Sequence, residues 1–335
     1  MKSSASFPVL LTRFFNQRLI QQRHASPHTI SSYRDTFRLL LRFAKRRLNK
    51  EPCDLDWEEI DAQLISDFLD DLQNNRGIGA RSRNLRLTAI RSFFRYVAFE
   101  LPDRTEQSQC ILAIPCKCYT QKQIHYLSRQ EIDALLAAPN LKTWSGRRDH
   151  AWLMLAIQTG LRLSELTGLK PEDTHLGVGP YVHVLGKGRK ERCTPLTKQT
   201  VVILRAWLEE LVLAGGQFLF PNRHGGRLSN DGGQYLLAKH VATAVEICPS
   251  LRNKRVSPHV LRHTAAMELL QAGVDTTVIA LWLGHESVET THIYLEADMA
   301  MKQKALAKTQ PHEGSPSVYK PDDSLLAFLQ SLLMQ

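Results

Sequence analysis

From Leu10 to about Phe99, apolar residues recur at helical spacing with basic residues between them. Ser26-Pro27 reads as a helix start: a capping serine, then a proline at the first helical position, where its missing N–H costs nothing. Along the following HTISSYRDTFRLLLRFAKRR, residues Ile30, Tyr33, Phe37, Leu40, Leu41 and Ala44 fall on one face. Arg34, Arg38, Arg42 and Lys45 lie elsewhere around the same helix. The pattern predicts another helix from Asp61 to about Asn75, ending near Gly77. It predicts one more from about Ala80 to Phe99, with Leu87, Ile90, Phe94 and Val97 inward and Arg81, Arg83, Arg86, Arg91 and Arg95 interleaved.

Between Leu101 and Tyr126 the periodicity fades into prolines, polar residues and cysteines, which reads as an interdomain linker. Ser128 and Glu131 then have capping-box spacing at the start of a new helix. Helical segments are predicted at about Arg147–Thr159 and Ser164–Leu169. PYVHVLGKGRKERCTPL alternates on both sides of a glycine-bearing turn, as a β-hairpin does. Helices resume at about Thr197–Ala214, Gly232–Cys248, Pro258–Ala272 and Thr276–Leu283, with Gly284 as the stop. The tail from Pro311 is polar and ends in Asp322–Leu333, a short amphipathic segment. The expected fold is therefore mainly α with a small β-sheet in the second domain. The expected division is 1–100 helical, 101–126 linker, 127–310 second domain and 311–335 tail.

Composition narrows the class of partner. The chain of 335 residues carries a formal net charge of +10, which favours a polyanion, most often nucleic acid. The arginine-bearing helices of the front half make DNA contact there a reasonable expectation, although a charged helix face is usually just solvated. No apolar run is long enough to cross a bilayer, and the first residues lack a secretory cleavage site. The six cysteines show no zinc-finger spacing and read as free thiols of a reducing cytoplasm.

Five segments of the second half hold candidate chemistry. In TGLRLSEL, Arg162 follows a glycine that ends one helix, so its guanidinium fork can face a cleft and bind two phosphate oxygens; the plainer alternative pairs it with Glu165 on the surface. In GKGRKER, Lys187 is flanked by glycines at the hairpin tip, from where it can approach a ligand and donate a proton. In SPHVLRH, His259 and Arg262 share a face near a helix N-terminus, an end that favours a phosphate. His259 and His263 also have H-x-x-x-H spacing, but the glutamate of a metal-binding H-E-x-x-H is missing. LWLGH sets His285 just beyond a helix end, and THIY places Tyr294 nine positions later. Two arginines, a lysine, two histidines and a phenol suit phosphodiester transesterification without metal: a positioned oxygen attacks, fixed donors neutralise the charge, and the leaving oxygen takes a proton.

TGLRLSEL, GKGRKERCTPL, HVLRHTAAMELLQAGVDTTVIALWLGH and HESVETTHIY together resemble the tyrosine recombinases, or phage integrase family, especially its Xer-like branch. The resemblance spans about Leu153 to Ala297; the front half is similar to the family's core-binding domain only in pattern. It implies an N-terminal core-binding domain and a C-terminal catalytic domain performing site-specific recombination of double-stranded DNA. Tyr294 would form a 3′-phosphotyrosine and free a 5′ hydroxyl, while Arg162 and Arg262 clamp the scissile phosphate. Lys187 would be the general acid, His259 would assist proton transfer at the tyrosine, and His285 would hydrogen-bond the phosphate. His263 and His292 fall outside that set and read as structural neighbours. The resemblance further implies no cofactor, no ATP and a homotetramer, or a paired recombinase, on two DNA sites, with Asp322–Leu333 as a candidate docking helix. The rivals are a type IB topoisomerase, with nearly the same chemistry, and a DNA-binding accessory protein without catalysis.

Overall fold

The computed structural model describes residues 5–120, 124–186, 190–213, 215–285, 290, 291 and 294. Lys187, His292 and the segment Asp322–Leu333 lie outside the described residues. The backbone divides into two compact units, Met1–Lys122 and Gln123–Gln335, each closing its own hydrophobic core.

The first unit is helical: α1 (Phe7–Arg13), running on into a wider-turned helix at Phe14–Gln22, then α2 (Pro27–Leu48), α3 (Ala62–Asn74), α4 (Ala80–Glu100) and α5 (Thr105–Ala113). Capping sets the boundaries as the sequence predicts. The Ser26 hydroxyl accepts the Thr29 N–H at the start of α2, and the Asp61 carboxylate accepts the Leu64 N–H at the start of α3. Phe93 on α4 centres the core, meeting Phe7, Phe14, Phe37 and Phe94 edge to face at 5.2–5.7 Å between centroids. Two expectations need correction. The stretch 101–126 is not wholly a linker: α5 buries Ser108 and Ile111 in this core, and the Gln107 amide donates to the Trp57 and Ile60 carbonyls. The α4 arginines are also not uniformly outward. Arg83 is only 4% exposed and donates to the Pro115 carbonyl, and Arg91 donates to Ile114, so both brace the chain that follows α5. Arg81 and Arg95 are exposed.

The second unit surrounds α7 (Trp144–Thr159), which follows α6 (Arg129–Ala137) and is buried throughout 151–157. After it come α8 (Leu163–Leu166), strands β1 (Thr174–His175), β2 (Tyr181–Leu185) and β3 (Glu191–Pro195), then α9 (Lys198–Leu213), α10 (Asn230–Ile247), α11 (Pro258–Gln271) and α12 (Thr276–Leu283). The strands form one antiparallel sheet in the order β1-β2-β3. Val182 and Val184 face the core from β2, as the alternation predicts. The hairpin register pairs Leu185 with Glu191, and the Gly186 N–H donates to the Lys190 carbonyl at 2.8 Å, closing the end of the two-stranded ladder. Ser128 and Glu131 make the predicted capping box, Ser257 caps α11 through the Val260 N–H, and Gly284 ends α12 in the left-handed region at φ 66°. α8 is shorter than expected, starting directly after Arg162, and the Glu165 carboxylate accepts the Arg162 backbone N–H at 2.9 Å.

Candidate active site

The last turn of α12 exposes its terminal carbonyls, as every helix end does, and three of them receive a different arginine. The Trp282 carbonyl accepts Arg192 Nε at 3.2 Å, the Leu283 carbonyl accepts Arg262 Nη2 at 2.6 Å, and the Gly284 carbonyl accepts Arg162 Nη2 at 2.9 Å. The negative end of the helix dipole favours cations there. The left-handed turn at Gly284 lets the helix end beside them: a Cβ at this position would stand 2.9 Å from Arg192 Nη1.

Glu165 completes the cluster. Its carboxylate accepts Arg162 Nη1 at 2.9 Å and Arg192 Nη1 and Nη2 at 3.2 and 2.7 Å. Burial pushes its carboxyl pKa up, but the hydrogen bonds and charges of Arg192 and Arg162 more than reverse this, so it titrates below its ordinary value. Arg262 also donates Nη1 to the Gly160 carbonyl at 2.7 Å. Burial and the neighbouring charge of Arg162 lower its pKa to about 10, which leaves it cationic at neutral pH. Each guanidinium has five N–H donors. Arg162 and Arg262 each commit two to these anchors, and three remain on each for an anion.

Tyr294 lies next to this cluster, 1% exposed, among Ala266, Met267, Leu270, Ile279 and Leu283. Its hydroxyl is 3.1 Å from His263 Nδ1. Burial raises the phenol pKa, and the Arg262 charge opposes that. His285 stacks on the Tyr294 ring at 6.3 Å between centroids, with Nδ1 2.8 Å from Thr291 Oγ1. Burial, then the charges of Arg262 and Arg162, lower the His285 pKa to about 4; burial, then His259 and Arg262, do the same for His263. Both imidazoles are therefore neutral at pH 7. Among the described residues, no three His, Cys, Asp or Glu side chains converge to hold a metal ion.

Arg162, Arg262, His285 and Tyr294 thus come together from segments far apart in the chain. His259, at the exposed start of α11, is not on the tyrosine hydroxyl; His263, one turn later, is. Sequence reasoning missed that contact and missed Arg192. The available signal for Arg192 was its place on the strand leaving the Lys187 turn, pointing to the same side as Thr194, the buried residue two positions on.

The profile described as phage integrase family matches residues 125–301, and that of the phage integrase N-terminal SAM-like domain matches 11–100. The chain belongs to the phage integrase family. Among the relatives of this integrase, a protein of Sinorhizobium fredii described as a candidate integrase/recombinase is 62% identical over 332 residues, spanning 99% of this chain and 100% of that one. The tyrosine recombinase XerC of Pelobacter propionicus is 30% identical over 91% of this chain and 96% of its own. The fold of the integrase chain is similar to that of XerH recombinase bound to difH substrate, with a TM-score of 0.63, 24% identity and coverage of 88% and 83%. It also matches a lambda integrase dimer bound to a core site, at 0.62, 17%, 88% and 97%. The integrase is accordingly a tyrosine site-specific recombinase. Among its described residues no helix is long and apolar enough to cross a membrane.

Proposed function

We propose that the recombinase cleaves and rejoins double-stranded DNA through a 3′-phosphotyrosine on Tyr294, without metal, ATP or other cofactor. The observation that carries this reading is the convergence of three guanidinium groups on the end of α12 beside the Tyr294 phenol. Three arginines and the Glu165 carboxylate leave two positive charges, and the neutral histidines add none. That excess suits a phosphodiester whose negative charge doubles as the phosphorane-like transition state forms, and the donors are already fixed in place. Arg162 and Arg262 clamp the scissile phosphate with their uncommitted N–H groups, and His285 hydrogen-bonds it. The Tyr294 oxygen forms a bond to phosphorus as the bond to the 5′ oxygen breaks. Once the phenol has left its enclosure, His259 assists removal of its proton, and Lys187 protonates the leaving oxygen. The phosphotyrosine conserves the energy of the broken bond, so a second 5′ hydroxyl can attack it and rejoin the strands.

The reading extends to a tetramer of this chain, or a pairing with a second recombinase, on two DNA sites in the cytoplasm. A solved lambda integrase relative is a tetramer bound to a Holliday junction, and its likeness to this chain supports the same arrangement. The domain assignment follows: 1–100 grips DNA as a core-binding domain, 127–310 carries the chemistry, and 311–335 contains the docking segment. The test is a nicked DNA substrate carrying the target site, incubated with chelator and run on a denaturing gel. Wild type gives a DNA-dependent upshift, and Tyr294→Phe gives none while still binding. Tight binding without an adduct would overturn the catalytic reading.

A further inference from the structure

The Tyr294 hydroxyl meets a residue outside the phosphate-binding set. His263 sits on α11 directly after Arg262, and its Nδ1 is 3.1 Å from the Tyr294 hydroxyl, with the rings edge to face at 5.6 Å. The phenol is enclosed by Ala266, Met267, Leu270, Ile279 and Leu283 and is 1% exposed. A phosphodiester in a duplex cannot enter such an apolar enclosure, so the oxygen meets phosphorus only after leaving it. The enclosure would be costly for an unpartnered hydroxyl, and His263 supplies the acceptor that makes it tolerable. A neutral imidazole with its proton on Nε2 accepts the phenol O–H through Nδ1.

We propose that His263 is a positioning residue that seats Tyr294 in a stored conformation, and that this hydrogen bond sets the fraction of free protein whose tyrosine is ready to cleave. The proposal rests on Tyr294 being the nucleophile. DNA would draw the tyrosine out by offering the phosphate and the arginine N–H groups in place of the imidazole, a shift between two conformations that each have a partner for the hydroxyl. Losing the imidazole acceptor removes only the stored partner, so the balance moves towards release.

The test is nitration of the full-length protein by tetranitromethane without DNA, with each tyrosine quantified by peptide mass spectrometry. Tyr235, 74% exposed, and Tyr119, 47% exposed, serve as internal references. In wild type, Tyr294 reacts far more slowly than Tyr235. His263→Leu fills the space but accepts nothing, and it raises the Tyr294 rate relative to Tyr235 by about three- to tenfold, the range for one buried hydrogen bond. His263→Asn keeps a polar atom near the Nδ1 position and restores a near wild-type ratio. On nicked DNA, His263→Leu forms the adduct faster by a similar factor. An unchanged Tyr294 ratio in His263→Leu overturns the seat, as does a wild-type Tyr294 that nitrates as fast as Tyr235; the latter needs no variant to fold. The two ideas fail separately. Adduct in wild type with nitration unmoved by His263→Leu sinks the seat alone, whereas moved nitration with no wild-type adduct sinks the nucleophile and leaves the seat.

Discussion

Arg192 reaches both oxygens of Glu165 and the Trp282 carbonyl, so one side chain ties the strand leaving the Lys187 turn to Arg162 and to the end of α12. With side chains 11% and 4% exposed, the pair has little water to fall back on. Arg192→Met is expected to cost about 2 kcal/mol of stability, because it takes from the buried Glu165 carboxylate one of its two guanidinium partners and leaves only Arg162, and a urea melt reads this. Adduct formation should slow at least about tenfold as Arg162 loses its fixed aim, with DNA affinity little changed. Adding Glu165→Gln to Arg192→Met should recover part of the stability but not the rate. The histidines give a pH signature. Their folded pKa values near 4 lie below the ordinary 6.5, so between about pH 6.5 and 4 the unfolded chain binds more protons. Stability should therefore be full above about pH 6.5 and fall on acidification, and His285→Asn should flatten that slope in melts at pH 7.5 and 5. The sequence made Arg162, Arg262, His285 and Tyr294 legible, because their motifs carry the residue types the chemistry needs. It hid His263 and Arg192, whose partners lie 31 and 27 positions away and follow from packing rather than spacing.

Helix ends were the most legible elements. Ser26, Ser128, Ser257 and Gly284 each terminate a helix where the sequence places the stop, because capping is a local interaction that needs no tertiary context. Elements that depend on distant partners were not legible. α5 has one fully buried apolar residue, Ile111 in its last turn, and a polar anchor in Gln107, so its sequence lacks a hydrophobic stripe. Arg83 was misread for the reverse reason: its spacing is that of a solvated face, but the chain at Pro115 folds over it. Arg83→Ala is accordingly expected to lower the stability of the first unit while leaving the salt dependence of DNA binding unchanged; melting and binding titrations check the two halves. At the junction of α7 and α8, Gly160 has φ 63°, and a Cβ there would stand 2.7 Å from Leu283 Cδ2. Gly160→Ala should cost about 1–3 kcal/mol from the left-handed backbone and the clash. It should also slow the adduct, since the Gly160 carbonyl anchors Arg262; thermal melts and single-turnover gels report the two effects.

Across the whole molecule, a net charge of +10 sets the expectation for binding. Affinity for duplex DNA should fall at least about tenfold between 50 and 200 mM salt, through loss of counterion release, and a fluorescence anisotropy titration at several salt concentrations measures it. Not every cation counts towards that slope: Arg83 and Arg192 are committed to partners within the fold. The two-part build was legible from the fading periodicity after Leu101, although α5 proved to belong to the first unit. Because each unit closes its own core, damage to the chemistry of one leaves the other folded. In a cell that consequence is genetic. A copy carrying Tyr294→Phe would keep its grip and take a place beside intact copies, so the mutant allele would behave as a dominant inhibitor, whereas a copy that failed to fold in its first unit would simply be recessive.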